Sequence, residues 1–262
     1  MIDEGRHEWA VQVRALHKSF ESTHAVRGID LAVPSGTFFG LLGPNGAGKS
    51  TTLAMITGLL RPDAGSIVVD GSNVWADPVS IKARIGVVPE TLLLFERLSG
   101  REMLEYVGRL RQLPAAEAAN RGEQLLEILG LKDASDKLIV DYSQGMRKKI
   151  SLAAALLHAP RVLFLDEPFE SVDPVSVRDI RRVLDQIVAG GSTIIFSSHV
   201  MATVEQLCSH VAIMNHGSVV ATGTMGMVCG TGSLEDAFIA AVGAESMDAA
   251  ALDWLSGTNA VD

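Results

Sequence analysis

Cysteine is almost missing: Cys208 and Cys229 are the only two among 262 residues. They lie in no metal-like spacing, which excludes a disulfide-stapled scaffold and a cysteine-built zinc site and fits a reducing compartment. Aromatics make up only 5%, and basic charge is outweighed, leaving a net charge of −9 that disfavours a nucleic-acid backbone as partner. Long hydrophobic runs are lacking too. Mean hydropathy is high at +0.25, yet no uncharged apolar run approaches the roughly 18–20 residues needed to cross a bilayer. The polar start, Met1 to Glu8, lacks the apolar core of a signal peptide. Internal repeats, low-complexity tracts and heptad runs are also missing. What remains is 47% apolar, enough for a substantial core in one large domain or a domain with an inserted lobe. A cytoplasmic protein is expected.

What is present centres on Gly43-Pro44-Asn45-Gly46-Ala47-Gly48-Lys49-Ser50-Thr51. The segment fits G-x-x-x-x-G-K-[ST]. The apolar run Phe38–Leu42 precedes it, and a helix-compatible run from Ser50 to about Leu60 follows. Strand, loop and helix in that order are the context of a phosphate-binding P-loop. Its glycines let backbone N–H groups turn inward around phosphates at the positive end of a helix. Lys49 then adds a point charge to the β- and γ-phosphates, and the Ser50 hydroxyl can ligate Mg²⁺. A nucleoside triphosphate is the expected ligand.

The pattern around this loop is α/β. Val11, Val13 and Ala15 alternate with polar residues, as do Ile29, Leu31 and Val33 before a Pro34-Ser35-Gly36 turn, predicting paired strands. Arg61 to Gly65 reads as a turn and Ile67-Val68-Val69 as a strand. From about Glu96 to His158 the period turns helical, with Met103, Val107 and Leu110 on one helix and Leu125, Leu126, Ile128 and Leu129 on another. Strands resume at Val162–Leu165 and Thr193–Phe196. Between them lies an amphipathic helix with Asp173 as N-cap, Pro174 in its first turn and Ile180, Val183, Leu184, Ile187 and Val188 on its apolar face. Leu234, Ala237, Phe238, Ala241 and Val242 form a last short amphipathic segment, and residues 244–262 are expected to be a loosely packed tail. The expected fold is a P-loop NTPase core, a mixed, mainly parallel sheet with an N-terminal antiparallel β part, and an inserted all-α subdomain. The expected division is residues 8–95 plus 159–226 for the core, 96–158 for the helical subdomain and 227–262 for a C-terminal extension.

Val162-Leu163-Phe164-Leu165-Asp166-Glu167 is an apolar strand ending in an acidic pair, a Walker B pattern. Asp166 can hold Mg²⁺ opposite Ser50, and Glu167 is placed to polarise a water for in-line attack on the γ-phosphate. With these residues, positions 10–242 closely resemble the nucleotide-binding ATPase subunits of ATP-binding-cassette (ABC) transporters. The most specific mark is Tyr142-Ser143-Gln144-Gly145-Met146-Arg147-Lys148, in the place of the family signature Leu-Ser-Gly-Gly-Gln, at the start of a helix and just ahead of Walker B. The variant looks like that of multidrug, polyketide-antibiotic or sodium exporters. By the same resemblance, Phe20 sits where adenine stacks, Asp173 on the loop that crosses the dimer interface, and His199 at the switch histidine that contacts the γ-phosphate. Glu90 falls where most members have glutamine, and a carboxylate there could ligate Mg²⁺ or hold the water. Within the signature, Gln144 replaces a glycine and Met146 the usual glutamine, while Ser143 and Gly145 are kept.

The resemblance implies a mechanism: two subunits, identical or paralogous, pair head to tail and trap two ATP between the P-loop of one and the signature of the other. Ser143, Gln144 and Gly145 would then complete the phosphate cage in trans, and Glu167, His199 and Lys49 would carry hydrolysis. Separate membrane-spanning permease subunits would bind the region after Glu90, where Leu92-Leu93-Leu94-Phe95 is apolar, and no nucleic acid is expected as partner. Such a chain works in the cytoplasm, peripheral on the inner face of the membrane. The rival reading is a soluble ABC-type switch without a membrane partner. A P-loop kinase or GTPase would lack the signature and the histidine, and the guanine-reading Asn-Lys-x-Asp is absent. A binding-only regulatory subunit is disfavoured because Glu167 and His199 are both present.

Overall fold

Two sheets, nine α-helices and two short 3-10 turns make up the residues described by the computed structural model, 7–170 and 172–243. Strand β1 (Trp9–Phe20) pairs antiparallel with β2 (Thr23–Pro34), setting Val11 opposite Val33, Val13 opposite Leu31 and Leu16 opposite Ile29. All six side chains are buried. Ala15, expected inward, is instead exposed. The register shifts between Val13 and Leu16, Ala15 takes φ +45°, and its N–H donates to Asp30 Oδ1 at 2.9 Å. This bulge turns Leu16 into the core in its place. On the other side of β1 lie β4 (Ala64–Val69) and β5 (Ser72–Asn73), completing a four-stranded sheet.

The second sheet contains β3 (Phe38–Leu42), β6 (Ile85–Val88), β7 (Val162–Asp166), β8 (Thr193–Ser198), β9 (His210–Asn215) and β10 (Ser218–Thr224). Its order is β10-β9-β3-β8-β7-β6, parallel except for β10. Strands buried on both faces read as continuous apolar runs, and alternate residues feed two cores. Phe38, Leu42, Leu163, Leu165, Ile194 and Phe196 enter one. Phe39, Leu41, Val162, Phe164 and Ile195 enter the other, shared with the antiparallel sheet. The fold class matches the expectation.

The helices are α1 (Lys49–Ile56), α2 (Pro78–Arg84), α3 (Gly100–Leu110), α4 (Ala115–Ile128), α5 (Gln144–Leu156), α6 (Pro174–Ala189), α7 (Met201–Leu207), α8 (Met225–Cys229) and α9 (Leu234–Val242). The P-loop helix α1 is shorter than the sequence pattern suggests: it is capped at Thr57, and Gly58 at φ +71° turns the chain away. Helices α3 to α5 have no core of their own. Leu104, Leu126, Leu129 and Ile150 pack in the same cluster as Leu163 and Phe196 of the sheet. On α3, Met103 is buried but Leu110, at the last turn, is exposed. Asp173 caps α6 as expected, accepting from the Val175 and Ser176 N–H groups, and Ile180, Val183 and Leu184 are buried. Among the described residues no helix is long and apolar enough to cross a membrane. The expected tail at 244–262 lies outside them.

Candidate functional site

Register brings the chemistry together. Strands β3, β7 and β8 run parallel side by side, so their carboxyl ends emerge at one edge, with Leu42 paired to Ser198 and Asp166 to Ser197. Ligands of open α/β sheets bind at that edge. The P-loop leaves β3 there, the acidic pair ends β7, and His199 follows β8. A cleft of about 540 Å³ opens at this point, lined by Asn45, Gly46, Ala47, Gly48, Lys49, Ser50 and Thr51, with Phe20, Glu90, Glu167 and His199 also on its wall.

The loop is shaped for backbone recognition. Gly48 caps α1 at φ +98°, and a Cβ there would stand 2.5 Å from the Ala25 carbonyl oxygen, so only glycine fits. Lys49 is buried, and its Nζ donates to the Gly43 carbonyl at 2.7 Å and the Pro44 carbonyl at 3.3 Å, folding back over the loop. Ser50 Oγ donates to Asp166 Oδ1 at 3.2 Å. The same Asp166 oxygen accepts from Ser197 Oγ, and that hydroxyl accepts the Glu167 N–H at 3.0 Å.

Glu167 is only 6% exposed. Its Oε1 lies 3.1 Å from His199 Nδ1 and 3.6 Å from Lys49 Nζ, yet it has no hydrogen-bond partner of good geometry. A shielded acceptor left open on a cleft wall is suited to a water or a phosphate-bound proton. Its backbone takes φ +46°, rare for a residue with a side chain.

The fit to Mg²⁺ rests on the donor set. Ser50 and Asp166 present hard oxygens within hydrogen-bond distance of one another, the kind of one- or two-ligand protein site that Mg²⁺ completes with waters and phosphate oxygens. Among the described residues no group of three or more His, Cys, Asp or Glu side chains is arranged to hold a metal by itself. Glu90 stands on the cleft wall but makes no hydrogen bond to Ser50 or Asp166.

Phe20, 47% exposed at the end of β1, faces the cleft with Lys18 Nζ 5.5 Å from its ring centroid. Sequence reasoning missed its neighbours His24, Arg27 and His216. The last is carried by the β9–β10 turn, which bonds to the P-loop through Gly217 N–H to Ala47 carbonyl at 3.0 Å. It also missed Glu170, a third glutamate on the wall, and Ser197, whose part depends on strand pairing that no local motif reports.

Ser143, Gln144, Gly145 and Asp173 do not line this cleft. Ser143 caps α5, its Oγ accepting from Met146 N–H at 3.3 Å, and is exposed with Gln144. Gly145 is buried against the start of α6, where a Cβ would meet Asp173 Oδ2 at 2.8 Å and Ser176 Oγ at 2.7 Å. The signature and the Asp173 loop thus form one patch, separate from the P-loop cleft of the same chain. Hydrogen bonds from the Ser176 and Val175 N–H groups hold the exposed Asp173 carboxyl below its usual pKa, Ser176 contributing most.

A family model described as ABC transporter matches residues 26–170. The daunorubicin/doxorubicin resistance ATP-binding protein DrrA of Streptomyces peucetius is 40% identical over 83% of this chain and 66% of its own length. The linearmycin resistance ATP-binding protein LnrL of Bacillus subtilis (strain 168) is 37% identical over 84% of this chain and 70% of its own. The chain therefore spans about two thirds of the length of these relatives. Among solved structures, one described as an ATP-binding subunit of an ABC transporter superposes with a TM-score of 0.83 at 28% identity, covering 88% of this chain and 99% of that one.

Proposed function

The chain belongs to the ABC transporter family as one of its ATP-binding ATPase subunits, and from that premise we propose that it dimerises head to tail around two ATP and powers export through separate membrane-spanning subunits. One observation carries the dimer: the cleft gathers the P-loop, Asp166, Glu167 and His199 but none of the signature residues, which lie on a patch of their own. The two half-sites complete each other only when a second copy, or a paralogous subunit, brings its Ser143, Gln144 and Gly145 to this cleft. Ser143 Oγ and the N–H groups opening α5 then face the γ-phosphate at a helix N-terminus.

In this reading Gly43 to Thr51 cradle the phosphates, Lys49 swings from the Gly43 carbonyl to the γ-phosphate, and Phe20 stacks on the adenine. Glu167 accepts a hydrogen bond from the attacking water, and His199 steadies the γ-phosphate from the other side. Ser50, Asp166 and Glu90 would hold Mg²⁺. When bound, that ion would neutralise charge developing on the phosphate oxygens. Hydrolysis removes the bridging phosphate, so the halves part: a two-state element switched by nucleotide. The working parts correspond to a core of residues 8–95 and 159–226, a signature subdomain of 96–158 and an extension from 227.

Docking to membrane subunits is supported just past Glu90. Leu93 is 86% and Phe95 51% exposed, and the Phe95 ring packs edge-on against exposed Tyr106, while Leu92 and Leu94 pack inward. An apolar patch of this kind suits a helix from a partner, and would hold the chain on the cytoplasmic face. Export, rather than import, rests on the relatives named for drug resistance. The test is to purify the tagged chain from detergent-solubilised membranes of its own cell and identify what accompanies it. A stoichiometric polytopic membrane protein is expected; a chain recovered alone or with cytosolic partners would replace transport by a soluble ATP switch.

A further inference from the structure

The lysine that closes the signature stretch reaches the acidic turn after β7 from the helical side. Lys148, in the second turn of α5, is 4% exposed, and its Nζ donates to the Glu167 carbonyl at 2.9 Å. That carbonyl also accepts the Glu170 N–H at 3.3 Å. The peptide on the other side of Glu167 is pinned by Ser197 Oγ. A non-glycine residue at φ +46° persists only where its surroundings over-determine it. Here one restraint comes from the sheet and the other from the helix that begins at the signature Ser143.

We propose that Lys148 is a positioning residue that sets the aim of the Glu167 carboxylate by gripping its backbone carbonyl, and so ties the catalytic turn to the position of the signature helix in the same chain. The proposal rests on the role given above to Glu167. Its charge also has a place. Four carboxylates, Glu170, Glu90, Asp166 and Glu167, draw on the Lys148 cation and favour its charged form, against burial, the larger influence, which lowers its pKa. A cation at this point offsets Glu90, the residue standing where most family members have an uncharged glutamine. Because α5 is a continuous helix of 13 residues, a shift of its N-terminus on meeting a partner's nucleotide moves the Lys148 anchor with it.

The test compares Lys148→Met, Lys148→Gln, Lys148→Arg and Glu167→Gln in the full chain purified with its membrane subunits, by steady-state hydrolysis and thermal unfolding. Lys148→Met is expected to lower kcat at least tenfold while KM for ATP stays within twofold and the unfolding midpoint within a few degrees. Lys148→Gln is measured beside it, and whichever of the two is soluble decides. Lys148→Arg, which keeps charge and donors, is expected to recover at least a third of the wild-type kcat. A Lys148→Met enzyme within threefold of wild type, or an Arg variant as slow as the Met variant, overturns the proposal. So does a kcat loss matched by an equal rise in KM and a lowered midpoint, the mark of a purely structural lysine. Wild-type turnover in Glu167→Gln would overturn the underlying role of Glu167; a slow Glu167→Gln beside a fast Lys148→Met would sink the positioning role alone.

Discussion

Asp166 and Glu167 are held to their task by a residue that no motif names. Ser197 Oγ donates to Asp166 and accepts the Glu167 N–H, so one hydroxyl fixes the Asp166 carboxylate and the Glu167 backbone. Ser197→Ala removes it, and hydrolysis is expected to fall roughly tenfold or more while ATP affinity is kept, as for the loss of one preorganising hydrogen bond; kcat and nucleotide titration read this out. Glu90 is expected to be active as it stands, so Glu90→Gln should change turnover less than tenfold. A rise of tenfold or more would make the native carboxylate a brake. The P-loop and the acidic pair were legible because their chemistry is written in consecutive residues. Ser197 was not, because it acts through the pairing of β7 with β8; Lys148 stands in the signature stretch, but its grip on Glu167 was not legible because it joins two distant segments. The resemblance places Ser143 at a partner's ATP and Asp173 on the loop that crosses the dimer interface, and in the single chain both stand apart from the cleft.

Elements were readable where period and caps agreed. Helix α6 announced itself through Asp173, Pro174 and its apolar face, and the Walker strand through its unbroken run. The bulge at Ala15 was hidden because alternation alone cannot show an inserted residue, and α1 ran short because Gly58 ended it before the apolar pattern did. The edge of the sheet at β9 and β10 was not read, and with it went His216. Helix α3 carries a capping box that makes a clean test: Ser99 Oγ accepts the Glu102 N–H at 3.2 Å and Glu102 Oε2 accepts the Ser99 N–H at 2.8 Å. Ser99 is buried. Ser99→Ala is expected to cost about 1 kcal/mol of stability, seen as a lower denaturation midpoint with an unchanged slope, and to leave ATP binding intact.

For the whole molecule, the helical subdomain and the sheet are joined at His158, just past α5, whose Nε2–H donates to the Ile85 carbonyl at 2.9 Å. Burial, and then the nearby Arg111 charge, push this imidazole from 6.5 down to about 4. The unfolded chain therefore takes up a proton that the folded chain refuses between those values. This share of stability is complete above pH 6.5, shrinks as the pH falls toward 4 and is gone below it. Chemical denaturation across pH 4 to 7 should show that loss, and His158→Gln should flatten it. Shared packing of α3 to α5 with the sheet makes the chain one cooperative body that presents a cleft and a signature patch separately. In the proposed mechanism ATP joins these two surfaces between subunits. Sedimentation of the Glu167→Gln chain with Mg²⁺ and either ATP or ADP, alongside its turnover, decides this. A dimer with ATP, a monomer with ADP and turnover near zero are expected; a variant that stays monomeric in ATP and hydrolyses it at the wild-type rate would rule out ATP as the link between subunits.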